Sequence, residues 1–230
     1  MAFLEKIKQI DQSLFFFFNG KHTPFWDVAM SLFTRTEIWS LFFLVLIYFM
    51  VKKYKTKSVF ILFFLALCIV FSDQFSVLIK ETVQRFRPSH EPAIQNMVHT
   101  VLKKGGLYGF FSSHATNTFA VAFFLSAIFR NFRFSVLIFI WAAFVSYTRI
   151  YLGLHYPGDI LAGVLVGCLI GWGLSILNNF IENRFFQFRS PKLSITKLES
   201  SELNIIFSVL VFVFIMILFV VNRLQYTHFL

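Results

Sequence analysis

The chain is organised by long apolar runs separated by short, strongly basic connections. An apolar run of roughly 18 residues or more crosses the hydrocarbon core of a bilayer as a helix. On that criterion the pattern predicts six spans, at about 37–51, 58–79, 113–129, 134–150, 160–181 and 204–221, the first of them short at its apolar core. The N-terminal stretch differs. Its apolar residues fall at 14–18 and 25–33 and are interrupted by Asn19, Gly20, Lys21, His22, Thr23 and Pro24. That interruption predicts two short interfacial helices joined by a turn, not a span. A signal peptide fits poorly, because the Phe run is short and no small-residue cleavage site follows it.

Composition turns this pattern into a fold class. Hydrophobic residues make up 57% of the 230 positions, Phe alone occurs 35 times, and mean hydropathy is +0.72. Charged residues are only 14%, against about 25% in a soluble domain. One water-soluble core cannot hide so much apolar surface. A disordered chain, a secreted disulfide scaffold and an ordinary cytosolic enzyme are therefore excluded, and an all-α, integral membrane helical bundle is expected. Cys68 and Cys168 both lie inside apolar runs, without CxxC spacing, and read as free buried thiols. Gly163, Gly167 and Gly171 recur every four residues in the fifth span and predict a groove for close helix packing.

Net charge is +10, from 21 Lys and Arg against 11 Asp and Glu. Basic residues alternate with spans instead of forming one patch, so nucleic acid is not an expected partner. Three connections are densely basic: Lys52, Lys53, Lys55 and Lys57; Arg130 and Arg133; and Arg184, Arg189, Lys192 and Lys197. All fall on one side of a six-span arrangement, which marks that side as cytoplasmic and puts both termini outside. The other side also carries cations, among them Lys80, Arg85, Arg87, Lys103, Lys104 and Arg149. Those charges need a separate explanation.

Chemistry supplies one. Three segments share the outer side: Lys80-Glu-Thr-Val-Gln-Arg-Phe-Arg87-Pro88, then Phe111-Ser112-Ser113-His114, then Thr148-Arg149 running to His155 and Asp159. Lys80, Arg87 and Arg149 are three cations at helix ends, and three converging cations suit a multiply charged anion such as phosphate. Ser112 and Ser113 stand where the third span begins, and free N–H groups at a helix N-terminus bind phosphate oxygens. Of two histidines, one can attack phosphorus and the other can protonate a leaving alkoxide. Asp159, four residues after His155, can reach the imidazole if a helical turn begins near Pro157. His155 itself is expected at a wet helix end.

The order Lys-x6-Arg-Pro, Ser-x-His and Arg-x5-His-x3-Asp resembles the type 2 phosphatidic acid phosphatase (PAP2) superfamily over about residues 58–181. Two positions depart from its usual pattern: Ser113 stands where Gly is usual, and Thr148 where Ser is usual. The resemblance implies a phosphatase domain over 37–222, with motif-bearing core 58–181 and an interfacial segment 1–36. It implies His155 as nucleophile, forming a phosphohistidine, with Asp159 orienting it. His114 would act as general acid and then as base for water. Lys80, Arg87 and Arg149 would hold the phosphoryl oxygens, with the Ser112 hydroxyl and the Ser113 N–H as further donors. No metal or cofactor would be needed.

The substrate so implied is a lipid phosphate or pyrophosphate: undecaprenyl pyrophosphate, phosphatidylglycerophosphate, phosphatidic acid or the phosphates of lipid A. Substrate and surrounding membrane lipids are then the expected partners. The setting would be a bacterial inner membrane with the site facing the periplasm. A lipid phosphotransferase using the same intermediate, or a non-catalytic lipid-phosphate binder or transporter, are the alternatives. The loop 89–109 and the groove between spans are expected to set specificity. Asp73, seven residues before Lys80, is expected to serve helix packing or to support the site from behind. His22, His90, His99 and His228 read as solvated loop histidines. Arg85, Lys103 and Lys104 read either as headgroup contacts or as solvated charges. Trp39, Trp141 and Trp172 read as packing or interface anchors.

Overall fold

The apolar runs form helices with little else between them. In the computed structural model, residues 2–102, 104–185 and 197–228 are described. Eight α-helices follow in order among them: α1 (Ala2–Asn19), α2 (Pro24–Phe33), α3 (Ser40–Tyr54), α4 (Lys57–Val83), α5 (Ser113–Phe129), α6 (Phe132–Tyr151), α7 (Pro157–Phe185) and α8 (Ser200–His228). Short 3-10 turns occupy Thr36–Trp39 and Pro88–His90. The helices start where capping chemistry predicts. Thr23 accepts from the Trp26 N–H with Pro24 at the first helical position, Ser112 accepts from Ala115, and Asn131 accepts from Phe134.

The protein is a helical membrane bundle. α4, α6, α7 and α8 are each long and apolar enough to cross a bilayer. α5 has 17 residues, which at 1.5 Å per residue is still about 25 Å. The first span of the sequence reading turns out differently. α3 is one arm of a pair with α2, bent by 70° at a short break, and only together do the two meet the length of a span. Just past the break stands Trp39, whose indole N–H donates back to the Phe33 carbonyl at 2.9 Å and holds the elbow. Trp39 and Trp141 are buried and pack edge to face, whereas Trp172 is exposed.

α5 is the central helix and packs against α4, α6 and α7. Its contact with α7 is the tightest, and the glycine stripe explains why. A Cβ on Gly163 would fall 2.8 Å from the Ser112 carbonyl oxygen, and those on Gly167 and Gly171 would meet the carbonyls of Thr116 and Ala120. The stripe thus lets two backbones approach along a full helix face. α8 closes the other side against α2, α3 and α6.

Up-and-down topology gathers the helix ends into two groups. At one end lie the turns after α3 and α5 and the start of α8. There Lys57 pairs with Glu182 at 2.5 Å and Lys53 with Glu202 at 2.7 Å, while Asn131 donates to the Leu198 carbonyl at 3.0 Å. Two of the lysines read as topology markers are therefore also buried cross-links. Arg189 and Lys192 lie outside the described residues. At the other end meet the C-termini of α4 and α6 and the N-termini of α5 and α7. All three motifs converge there.

α1 docks onto this second end through one stripe. Asp11, Phe15 and Asn19 are buried, four residues apart, and the Asn19 amide bonds the carbonyls of His99 and Tyr151 at 2.9 and 2.8 Å. A neighbouring face of α1 leaves Ile7, Ile10, Leu14 and Phe17 about half exposed, as an amphipathic helix at a membrane surface does.

Candidate active site

The chain turns sharply after α4 because Gln84 adopts a left-handed conformation (φ 52°), its N–H bonding the Lys80 carbonyl. That turn carries Arg85 and Arg87 back over the ends of α5 and α7. Phe86 then bridges to Tyr108, which closes the loop 89–109 on itself. The Arg87 guanidinium donates to the Tyr108 carbonyl at 3.2 Å and the Leu154 carbonyl at 3.4 Å.

His155 lies between α6 and α7. It is 2% exposed, so the expectation of a wet helix end is corrected: the loop 152–156 is folded under the bundle end and closed over by Arg87. The two imidazole nitrogens have different neighbours. Nε2 lies 3.3 Å from Arg87 Nη1, and Nδ1 lies 3.5 Å from Asp159 Oδ2. A guanidinium only donates, so Nε2 is the acceptor and the ring proton sits on Nδ1, toward the carboxylate. This tautomer leaves a lone pair on Nε2. Burial, followed by Arg87, Arg149 and Lys80, holds the imidazole well below the usual histidine range.

Asp159, in the first turn of α7, is buried and fixed on both oxygens. Oδ2 accepts from the Tyr156 N–H at 3.0 Å, and Oδ1 accepts from Arg85 at 2.8 Å. Its backbone carbonyl accepts from the Ser112 N–H at 3.1 Å, which ties α7 to the start of α5.

The serines are partly committed. Ser112 Oγ caps α5, leaving its hydroxyl proton available, and the first N–H groups of α5 have no intrahelical acceptor. The Ser113 hydroxyl accepts from Lys80 Nζ and lies 2.6 Å from the Ser76 hydroxyl. Ser76, one turn before Lys80 on α4, thus sets where the ammonium points. His114, half-buried in the first turn of α5, stands within charge range of His155 and of Arg149, Arg87 and Lys80. Arg149, 9% exposed at the end of α6, donates from Nη1 to Thr34 Oγ1 at 2.7 Å, while its buried Nε has no protein partner.

All eight residues expected from the sequence therefore lie at one end of the bundle. Four further participants carried no clear sequence signal: Ser76, Arg85, Asp11 and Thr34. Arg85 sits inside the first motif, yet its double contact with Asp11 at 2.7 Å and Asp159 at 2.8 Å, and its stacking 4.2 Å over the Tyr156 ring, show it to be neither a solvated charge nor a free headgroup contact. Burial opposes its charge, but the two carboxylates outweigh that and hold it above the ordinary guanidinium value. Asp73 is half-buried, and its carbonyl takes the Ser76 hydroxyl. Lys103 lies outside the described residues, as does the side chain of His228.

His22 and His99 also differ from expectation. Their rings stack at 3.6 Å with planes 4° apart, and His99 Nε2 lies 3.0 Å from Asp27 Oδ1. Ligand atoms of His22, Asp27 and His99 fall within 4.8 Å of one another. A metal ion must lie near the plane of each ligating imidazole, which two parallel stacked rings do not permit at once. The group instead pins the turn between α1 and α2 to the loop 89–109.

Comparisons with known proteins give the family. The PAP2 superfamily model matches residues 60–183, the stretch that carries all three motifs. The chain is 42% identical over 173 residues to the lipid A 4'-phosphatase of Bacteroides thetaiotaomicron, covering 74% of this chain and 77% of that protein. It is 36% identical over 171 residues to the lipid A 4'-phosphatase of Porphyromonas gingivalis, covering 73% and 72%. Its fold matches the crystal structure of the transmembrane PAP2 type phosphatidylglycerolphosphate phosphatase from Bacillus subtilis with a TM-score of 0.58, at 20% identity, over 80% of this chain and 90% of that one. Motifs that the sequence scatters over 80 residues and the bundle returns to one end, together with relatives aligned over most of their length, lead to one assignment: the chain belongs to the PAP2 superfamily and is a membrane lipid phosphatase.

Proposed function

We propose that the protein removes the phosphate monoester of a lipid A-type glycolipid through a phosphohistidine at His155, at the periplasmic face of a bacterial inner membrane. The observation that carries the mechanism is the pair of contacts on the imidazole. Asp159 Oδ2 stands 3.5 Å from the proton-bearing nitrogen, which has no hydrogen-bond partner among the described residues in the resting site, and the other nitrogen faces a cation instead of a proton donor that titrates. In the resting site Arg87 occupies the lone pair of Nε2. A phosphate dianion draws the guanidinium onto its oxygens and leaves Nε2 free to attack phosphorus.

As the N–P bond forms, the P–O bond to the sugar breaks and His114 donates a proton to the leaving alkoxide. Lys80, Arg87 and Arg149 hold the equatorial oxygens, with the Ser112 hydroxyl and the N–H of Ser113 as further donors. His114, now neutral, takes a proton from water, which attacks phosphorus, breaks the N–P bond and releases inorganic phosphate. Under this reading residues 37–222 form the phosphatase domain and 1–36 an interfacial segment. Similarity to two lipid A 4'-phosphatases supports the substrate class, and the basic connections at the far end of the bundle support the orientation.

The substrate test is phosphate release by purified protein from a panel of lipid A, undecaprenyl pyrophosphate, phosphatidylglycerophosphate and phosphatidic acid in mixed micelles. Lipid A is expected to give the highest kcat/KM, unchanged by EDTA. A preference of ten-fold or more, on the order of 1.4 kcal/mol, for any other lipid overturns the substrate assignment.

The charge environment gives a second expectation. Neutral His155 is the reactive form, and burial with Arg87, Arg149 and Lys80 holds its pKa down. The acid limb of kcat/KM therefore lies below the usual histidine value of about 6.5. In Arg87→Gln one of those cations is gone, and the limb moves up toward that value. A limb that stays in place in this variant separates Arg87 from the imidazole.

A further inference from the structure

Asp11 belongs to α1, outside the stretch matched by the family model, yet it is buried against the helix that carries Asp159. Its Oδ1 accepts from the Gly158 N–H at 2.7 Å and its Oδ2 accepts from Arg85 at 2.7 Å. Gly158 is the second residue of α7, so Asp11 caps that helix from another element and places a carboxylate at its positive end. The approach is close enough that a Cβ on Gly158 would sit 2.7 Å from Asp11 Oδ2. Arg85 then spans two carboxylates, Asp11 on one side and Asp159 on the other. Beyond Asp159 stands His155.

We infer that Asp11 and Arg85 are positioning residues for the nucleophile, and that the N-terminal amphipathic helix orients His155 through the chain Asp11–Arg85–Asp159. Arg85 holds Oδ1 and the Tyr156 N–H holds Oδ2, and together they keep Oδ2 turned toward the imidazole. Arg85 in turn has two roughly opposed charges to satisfy, and Asp11 fixes its second nitrogen. Tyr156 packs against both: the Arg85 guanidinium lies 4.2 Å over its ring, and Phe15 of α1 meets it edge to face with centroids 5.5 Å apart. The helix that exposes Ile7, Ile10, Leu14 and Phe17 on one face therefore holds the site with Asp11, Phe15 and Asn19 on another.

This inference rests on His155 being the nucleophile, and its test separates the two. His155 is faced by Asp159 from α7, Arg87 and Lys80 from α4 and the segment after it, Arg149 from α6 and His114 from α5. Asp11→Asn keeps the acceptor for Gly158 but removes one negative charge from beside Arg85, leaving it balanced by Asp159 alone. Arg85→Gln leaves two carboxylates uncompensated. Both variants should lower kcat, by about 10-fold and about 50-fold respectively, with KM within about twofold.

Their pH profiles should move in opposite directions. The acid limb of kcat/KM falls in Asp11→Asn and rises in Arg85→Gln, because the net charge beside the imidazole changes in opposite senses. The double variant should lose no more than about twofold beyond Arg85→Gln alone, since Asp11 acts through Arg85. Should Asp11→Asn not yield folded enzyme in detergent, Asp11→Ser, which also keeps an acceptor for Gly158, is measured in its place. Wild-type kcat with unmoved limbs, or losses that multiply in the double variant, overturn the inference. His155→Ala run beside them guards the premise: near-normal phosphate release from it overturns the nucleophile reading instead.

Discussion

His155→Ala is expected to lower kcat by about 10⁴-fold or more, the scale on which enzymes lose activity when a covalent nucleophile is removed. The loss falls on the chemical step and not on binding. Lys80, Arg87 and Arg149 remain in place, so inorganic phosphate and vanadate should bind the variant within about threefold of the parent. The fold should survive, because Asp159 keeps its bonds to Arg85 and the Tyr156 N–H without the imidazole. Since His155 is buried, a melting curve in detergent accompanies the kinetics. Inactive, folded protein that still binds vanadate is the expected result. Phosphate release within about tenfold of the parent enzyme removes His155 from the mechanism.

Arg149→Lys is expected to lower kcat/KM by about 10²- to 10³-fold, although the charge is retained. The guanidinium is divided in use. Nη1 is committed to Thr34 Oγ1 and the buried Nε has no protein hydrogen-bond partner, so under the proposed function the rest of the fork is what holds a phosphoryl oxygen. A lysine ammonium is a point charge on a flexible stem and cannot hold Thr34 and a phosphate oxygen at once in this geometry. Thr34→Val leaves Arg149 present but unanchored and should cost about tenfold, chiefly in kcat. If Arg149→Lys and the parent enzyme have the same kcat/KM, the fork geometry has no part in holding the phosphoryl group.

Thr34 and Asp11 also show where sequence reading stops. The three motifs were legible because their chemistry is local: each keeps its residues within about a dozen positions of one another, at spacings set by a helix end. The bundle was legible because apolar runs report a membrane whatever their partners. The glycine stripe of α7 announced a close helix contact, and α5 fills it. What was not legible depends on pairings between distant segments. Asp11 pairs with Arg85 across 74 positions, and Thr34 with Arg149 across 115. Neither spacing leaves a trace in a single sequence, and Asp11 in an amphipathic helix looks like a solvated charge. The bend between α2 and α3 was hidden for a related reason. The run at 37–51 is expected to span by itself and 25–33 to lie at the interface, whereas the two arms meet span length only together, and the elbow carries the Trp39 bond to Phe33. His155 is expected at a wet edge from its place at a helix end. The loop is buried because Arg87, from another element, closes over it.

The most direct test of the account is the position of the phosphoryl group on the enzyme during turnover. Parent enzyme and His114→Ala are mixed with lipid A carrying labelled phosphate, quenched in alkali, where phosphohistidine persists, and digested for mass spectrometry. Label is predicted on the peptide containing His155 in the parent enzyme, more slowly in His114→Ala, which lacks the proton donor for the leaving alkoxide, and not at all in His155→Ala. Label on any other side chain, or phosphate release from His155→Ala at the parent rate, would contradict the account.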